Sequence, residues 1–250
     1  MPADIFDEHS WRYEAMVNWP KRLANEAPFY RKLFADVQAS RVLDAACGTG
    51  HHAEMFHSWG LSVEGADISE GMIERCRARL GTSDRLRWVV RSFDRPAEPA
   101  GVFDVVLCVG NSLSLASDMD TVGRAIGAML DSARPGGLCV IHVLNVWSLP
   151  DGPMVWQKTL KTQHDGRDHL LLKAIHRSGT DTRVEVLDVM LDQPSLERWS
   201  ESTPLLPITA DDLISFAKAA GASQVETFGD YRRTPYDRTT SPDLIAVCRK

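Results

Sequence analysis

The chain has 250 residues, 44% hydrophobic and 25% charged, a composition that builds globular domains and excludes wholesale disorder. Lysine plus arginine number 28 against 34 acidic residues, a net charge of −6 with no basic block, so neither a nucleic-acid partner nor an anionic membrane surface is expected. Five scattered cysteines with no CxxC pair exclude a zinc ribbon or a disulfide framework and read as small buried thiols. The polar, acidic opening is unlike a signal peptide, and no apolar run approaches the roughly 20 residues that cross a bilayer, so a cytoplasmic chain is expected.

Residues 1–40 read as an N-terminal arm and helix. Leu23, Ala27, Tyr30, Leu33, Phe34 and Val37 can share one helical face; Pro20 suits a helix start and Pro28 a break or kink. From residue 41 strands and helices alternate. RVLDAA, LSVEGAD, LRWVV (86–90), FDVVLCVG (103–110) and LCVIHVL (138–144) read as strands. His51–Trp59, Ile68–Leu80 and Thr121–Ala133 read as helices, the second capped by Ser69 and stopped by Gly81, the third ended by Pro135, Gly136 and Gly137. This rhythm is that of a doubly wound parallel α/β sheet.

The rhythm breaks after Asn145. Residues 155–206 hold no convincing helix and carry turn signals at Asp165-Gly166 and Gly179, so they read as antiparallel hairpins. Thr209–Ala220 is again helical. SQVETFGD and DLIAVCRK are joined by a loop too short for a crossover helix and should be antiparallel. The expected architecture is therefore a Rossmann-like, seven-stranded, mostly parallel sheet with an antiparallel C-terminal strand. Residues 41–145 and 208–250 would form this core, with a β-rich insertion, a lid, over 146–207.

The chemistry is concentrated in Val42-Leu43-Asp44-Ala45-Ala46-Cys47-Gly48-Thr49-Gly50, a strand that runs through a glycine turn into a helix. Such turns let backbone approach a ligand at the carboxyl ends of parallel strands. Gly48, Gly50 and Ala53 also satisfy the G-x-G-x-x-A form of a dinucleotide site. Asp44 separates the two readings: it would repel a pyrophosphate and suits an ammonium or sulfonium. Asp67 ends the next strand, where a carboxylate can accept from both hydroxyls of a ribose.

DAACGTG followed by GADIS resembles the class I S-adenosylmethionine-dependent methyltransferases. The start YEAMVNWPKRL, the strand-four segment CVGNSLSL, RPGG at 134–137 and the end FGDYRRTPYDRTTSPDLIAVCRK are similar to the glycine/sarcosine N-methyltransferase-like branch. The resemblance covers nearly the whole chain and implies S-adenosyl-L-methionine as cofactor, S-adenosyl-L-homocysteine as product and a lid after strand five. It implies that Gly48 and Gly50 pack under the methionine portion and that Asp67 holds the ribose. Ile68 and Met72 would flank the adenine, and Ser92 and Phe93 would meet its edge. Gly110 and Asn111 would line the floor near the methyl group, and Tyr13 and Arg22 would fold over the cofactor. Ala46, Thr49, Asp44 and Val109 complete the implied cofactor wall. The branch has Gly-Asp where this chain has Arg91-Ser92, with Asp94 as the substitute. It often has histidine where Leu115 stands, and "RNY" where this chain has Leu144-Asn145-Val146. These departures speak against glycine itself as the acceptor.

The expected reaction is methyl transfer to a small-molecule acceptor, an amine first, with O-methylation of a natural-product-like molecule second. An NAD(P)-dependent oxidoreductase and a non-catalytic nucleotide-binding module are the competing classes. His142 near the end of strand five is a candidate catalytic base, or a hydrogen-bonded core histidine; Asn111 is the other candidate catalytic residue. Asn111, Asn145, Trp147 and Tyr231 are the candidate acceptor contacts. His51, His52 and His57 lack metal spacing, and no metal is expected. Trp11, Tyr13 and Trp19 suggest an arm that closes over a filled site.

Overall fold

The computed structural model describes residues 11–192 and 197–250; residues 1–10 of the expected arm and 193–196 of the expected insertion lie outside them. Residues 11–16 are helical and lead into α1 (Trp19–Asp36). Then follow β1 (Arg41–Asp44), α2 (His51–Ser58), β2 (Ser62–Asp67), α3 (Glu70–Leu80), β3 (Leu86–Val90), β4 (Phe103–Cys108), α4 (Met119–Ser132) and β5 (Ala133–Leu144). A separate run of strands comes next: β6 (Met154–His164), β7 (Arg167–Ser178), β8 (Asp181–Met190) and β9 (Arg198–Leu205). The chain ends with α5 (Ala210–Ala219), β10 (Gln224–Phe228) and β11 (Asp243–Arg249).

The main sheet has the order β10-β11-β5-β4-β1-β2-β3. Its pairs are parallel except that β11 lies antiparallel between β5 and β10. This is the seven-stranded, mostly parallel sheet with an antiparallel C-terminal strand that the sequence implied. The central strand β4 is buried along its whole length, which is why its sequence after Asp104 is apolar without alternation. Val106 and Cys108 face a core built with α4 and α5, including Ile126, Met129 and Leu213. Val105 and Leu107 face the other core with Phe29, Tyr30, Phe34, Phe56 and Trp88. Strand order reverses at β1 and β4, so the crevice between their carboxyl ends is where an open α/β sheet receives a ligand.

Residues 154–205 form the expected antiparallel sheet, in the order β6-β7-β8-β9. Asp165 and Gly166 both take positive φ, as a two-residue hairpin turn requires.

Three local expectations are corrected. Pro28 neither breaks nor ends α1: it lies on the helix's exposed side, away from the packed face. The buried face of α1 is Glu26, Phe29, Tyr30, Leu33 and Phe34, so its first half is rotated from the expected stripe. Arg134–Gly137 are not a loop but the start of β5. Gly137 permits this, since a Cβ there would meet the carbonyl oxygens of Asp104 and Arg134 at 2.9 Å.

Candidate functional site

The glycine turn is built by one carboxylate. Asp67, at the end of β2, accepts the Gly48 amide at 2.9 Å through Oδ2 and the Ser69 amide at 3.0 Å through Oδ1. It thus ties the turn before α2 to the start of α3. Gly50 has φ +82° and caps α2; a Cβ there would sit 2.8 Å from the Trp88 ring, so the turn is sterically closed to other residues.

Above this turn lies a cavity of about 330 Å³. Ala46, Gly48 and Thr49 form its wall on the β1 side, and Asp67, Ile68 and Met72 on the β2 side. Ser92, Phe93 and Asp94 close it beyond β3, and Val109 and Gly110 beyond β4. Tyr13 and Arg22 complete it from the N-terminal side. Residues from six separate segments, singled out by their positions in the chain, therefore converge on one space. Sequence reasoning missed His52, Ser117, Thr121 and Arg124 in the same wall. Arg124 donates to Thr121 at 2.7 Å and lies 3.9 Å from Asp94. The three-residue spacing of Thr121 and Arg124 on a helix was the available signal.

Asp44 and Gly50 are not in the cavity wall. Asp44 is 1% exposed and lies behind Ala45 and Ala46, with neither carboxylate oxygen hydrogen-bonded among the described residues. Burial pushes its pKa up to about 6, against the lowering influence of His52. An unpaired buried carboxylate acts on the cavity through its field rather than by contact.

The arm is anchored to both sheets. Glu14 accepts from the Thr49 hydroxyl and sits 3.0 Å from His51 Nε2, and Trp19 stacks on His51 at 4.1 Å. On the other side Arg12 donates to Asp188 of β8 at 2.8 Å and Trp11 stacks on His164 of β6 at 3.9 Å. Arg22 is held by Glu26 at 2.7 Å, and Glu26 also meets His52 Nε2 at 2.7 Å. Burial opposes ionisation of Glu26, but His52 and Arg22 outweigh it and hold its carboxyl down to about 2. The Arg22–Glu26 pair has i,i+4 helical spacing, whereas the Glu26–His52 contact crosses two helices and leaves no local signal in the sequence.

The expected catalytic and acceptor residues lie elsewhere. His142 does not line the cavity. Its Nδ1 accepts the Gly110 amide at 3.1 Å, and its Nε2 then carries the proton shared with Asp243 at 3.1 Å. Both ring nitrogens are committed, which fits the second of the two readings of His142, a hydrogen-bonded histidine, here fixing the turn at Gly110. Asn111, in the left-handed region at φ +74°, accepts the Leu144 amide at 2.9 Å and stitches the ends of β4 and β5 together. Asn145 is 1% exposed and donates to the carbonyls of Arg238 and Ser241. Tyr231 is buried against Phe29 and Tyr30, and Trp147 lies under Arg238 with its ring 4.1 Å from the guanidinium. None of these four meets the cavity, because each is used to join strand ends to the C-terminal loop or to fill the core. No group of three or more metal-ligating side chains occurs among the described residues, and no described helix is long and apolar enough to cross a membrane.

Residues 42–137 match the family model described as a methyltransferase domain. Over 153 residues the chain is 29% identical to dTDP-3-amino-3,4,6-trideoxy-alpha-D-glucopyranose N,N-dimethyltransferase of Streptomyces venezuelae, covering 60% of each chain. Human glycine N-methyltransferase is 28% identical over 220 residues, 78% of this chain and 74% of that one. The chain thus spans less than two thirds of the length of the Streptomyces relative. The S-adenosylmethionine-bound structure of an amino pentose methyltransferase from Micromonospora echinaspora superposes with a TM-score of 0.75 at 22% identity, covering 97% of this chain and 96% of that one.

Proposed function

We propose that this chain, a member of the class I S-adenosylmethionine-dependent methyltransferases, transfers a methyl group to the nitrogen of a small-molecule amine. The observation that carries the reading is Asp67. Its carboxylate is in the wall of the cavity and is oriented by two backbone amides at the carboxyl end of β2, the place where a carboxylate can accept from both hydroxyls of a ribose. The cavity's volume lies within the range of small-molecule sites. The unpaired charge of Asp44 behind the wall favours a cationic occupant over a pyrophosphate. These features fit S-adenosyl-L-methionine, which supplies a methyl group already activated on a positively charged sulfur.

In this reading Asp67 holds the ribose, Ile68, Met72 and Phe93 sandwich the base, and Asp94 takes the edge that Ser92 leaves open. Tyr13 and Arg22 close the methionine end, with Arg22 fixed by Glu26. Gly110 forms the floor where donor and acceptor meet, and His142 and Asn111 keep that floor in place. The sheet β6–β9 serves as the lid, coupled to the core through the arm. Alignment of the two reactants supplies on the order of 7–11 kcal/mol, and a neutral amine needs no base. An oxygen nucleophile would need one. The relatives named above methylate an amino sugar and glycine by their names. The departures after β3 and β5 favour an amino sugar as the first acceptor to test.

The test is calorimetric titration with S-adenosyl-L-homocysteine and with NADPH, then an acceptor screen of amino sugars, glycine, sarcosine and matched alcohols. Binding of S-adenosyl-L-homocysteine alone, with transfer to amines, is the expected result. Binding of NADPH in its place would overturn the reading.

A further inference from the structure

The inner face of the sheet β6–β9 carries two lysines that the fold does not neutralise. Lys158 of β6 and Lys173 of β7 are directly opposed in the antiparallel ladder. The register slips between Trp156 and Lys158, and that bulge brings the two lysines onto one rung. Directly opposed like charges disfavour a strand pair, with Cβ atoms only about 4.5–5.5 Å apart. Leu171 and Ile175, on the same face of β7, are buried, so this row faces inward. The rung continues through Val186 of β8 to Glu201 of β9. The acids on this face are engaged elsewhere: Asp188 by Arg12 and His169, Glu201 by the Thr203 hydroxyl. Lys158 gives its ammonium to the neutral carbonyl of Met16. Among the described residues Lys173 has no hydrogen-bond or ion-pair partner. Burial first, then Arg22 and Lys158, push its pKa down, which places Arg22 of the cavity wall within its electrostatic reach.

We propose that Lys158 and Lys173 form an oxyanion-binding site at the junction of the lid sheet and the cavity, holding a phosphate or carboxylate group carried by the methyl acceptor. The proposal rests on the methyltransferase reading and adds to it a selection for acceptors in which the amine is linked to an anion. An oxyanion between the two ammonium groups cancels their repulsion and gives each a charge-assisted hydrogen bond. Val186 separates Glu201 from the lysines on this rung, and no ion pair joins Glu201 to either of them among the described residues, so the neutralising charge is assigned to the ligand. Lys158 reaches the carbonyl of Met16, three residues along the arm from Tyr13 of the cavity wall, which puts the anion on the side from which the arm covers the cavity.

The experiment uses the full chain, Lys173→Met and Lys158→Met. Thermal unfolding and calorimetry are run with inorganic phosphate, with acetate and, separately, with S-adenosyl-L-homocysteine. Expected is a saturable rise in melting temperature of the native chain with phosphate or acetate in the millimolar range, reduced at least tenfold in affinity in either variant. Whichever anion gives the saturable rise identifies the acceptor's group. S-Adenosyl-L-homocysteine affinity should stay within twofold, and Lys173→Met should melt higher than the native chain when no anion is added. An anion response identical in all three proteins, with S-adenosyl-L-homocysteine still bound, overturns the site and leaves the methyltransferase reading standing. A tenfold loss of S-adenosyl-L-homocysteine affinity in Lys173→Met also overturns it, because the lysines would then serve the cofactor's own carboxylate. Absence of S-adenosyl-L-homocysteine binding in every protein, the native chain included, removes the reading on which the site depends.

Discussion

Asp44→Asn should make the ligand-free protein more stable as pH rises. Asp44 is buried with both oxygens unpaired, and burial moves its pKa from the ordinary 3.8 to about 6. A raised folded-state pKa means that the folded chain binds the proton more tightly than the unfolded chain does. Its stabilising contribution is present below the unfolded value and is lost as pH climbs through the folded one. The gap of about 2 pKa units, at 1.36 kcal/mol each, corresponds to a penalty of roughly 3 kcal/mol once the carboxylate is ionised. Asparagine carries no such penalty, although its buried amide costs about 1–3 kcal/mol at every pH. The pH-independent part cancels in a difference. The stability of Asp44→Asn minus that of the native chain should therefore grow by about 2–3 kcal/mol between pH 4 and pH 7. For a chain of this size that is a relative rise in melting temperature of about 4–12 °C. Thermal unfolding in matched buffers across this range is the assay, with S-adenosyl-L-homocysteine affinity measured at pH 7 on the same proteins. The affinity should fall in the variant, since the field that favours a cation has been removed. A melting difference that does not change with pH would refute the strained carboxylate, and an unchanged affinity would refute its role towards the ligand.

Asp67→Ala should weaken S-adenosyl-L-homocysteine binding at least tenfold by calorimetry, because two charge-assisted acceptors worth about 1.5–3 kcal/mol each disappear. It should also loosen the turn, visible as faster amide exchange at Gly48 and Ser69. Gly50→Ala combines a left-handed backbone with a Cβ 2.8 Å from Trp88, and urea unfolding should show a loss of about 2–5 kcal/mol. Glu26→Gln removes the acid shared by Arg22 and His52 and should cost about 3–5 kcal/mol at neutral pH. Glu26 has a lowered folded pKa, so this difference should be present above pH 4.5 and vanish as pH falls towards 2, and a difference that persists there would count against the network. Glu14→Ala should release residues 11–16 and raise their hydrogen exchange, with weaker S-adenosyl-L-homocysteine binding; equal protection in both proteins would make the arm structural rather than a gate.

The main sheet was legible because its signals are local. Each buried parallel strand is a short, largely apolar run, Ser69 and Thr209 start their helices and Gly81 stops one, all by chemistry contained within four residues. Thr209 even forms a reciprocal box with Asp212. The misread boundaries are those decided at a distance. Pro28 is tolerated because of which side of α1 faces solvent, and Arg134–Gly137 join β5 because Gly137 fits against carbonyls of the neighbouring strand. Neither fact is written in the residues beside them.

The same distinction divides the site. The glycine turn, Asp67 and the segments after β2, β3 and β4 occupy the places that a doubly wound sheet reserves for ligands, so position along the chain sufficed to find them. His142, Asn111, Asn145 and Tyr231 carry chemistry-bearing side chains near strand ends too, yet the first three are spent on joining those ends and Tyr231 on packing against α1. Residue type and proximity to a strand end could not separate the two groups, because both are polar groups beside the same sheet edge. What separates them is where the fold's own hydrogen bonds leave the side chain. Two amides orient the Asp67 carboxylate in the cavity wall, whereas His142 has one acceptor and one donor, uses both and lies outside that wall. The opposed lysines of β6 and β7 extend the same reasoning to the second sheet. Their pairing depends on a one-residue slip in register, and an unanswered charge exposed by such a slip is what only a ligand from outside the chain can satisfy.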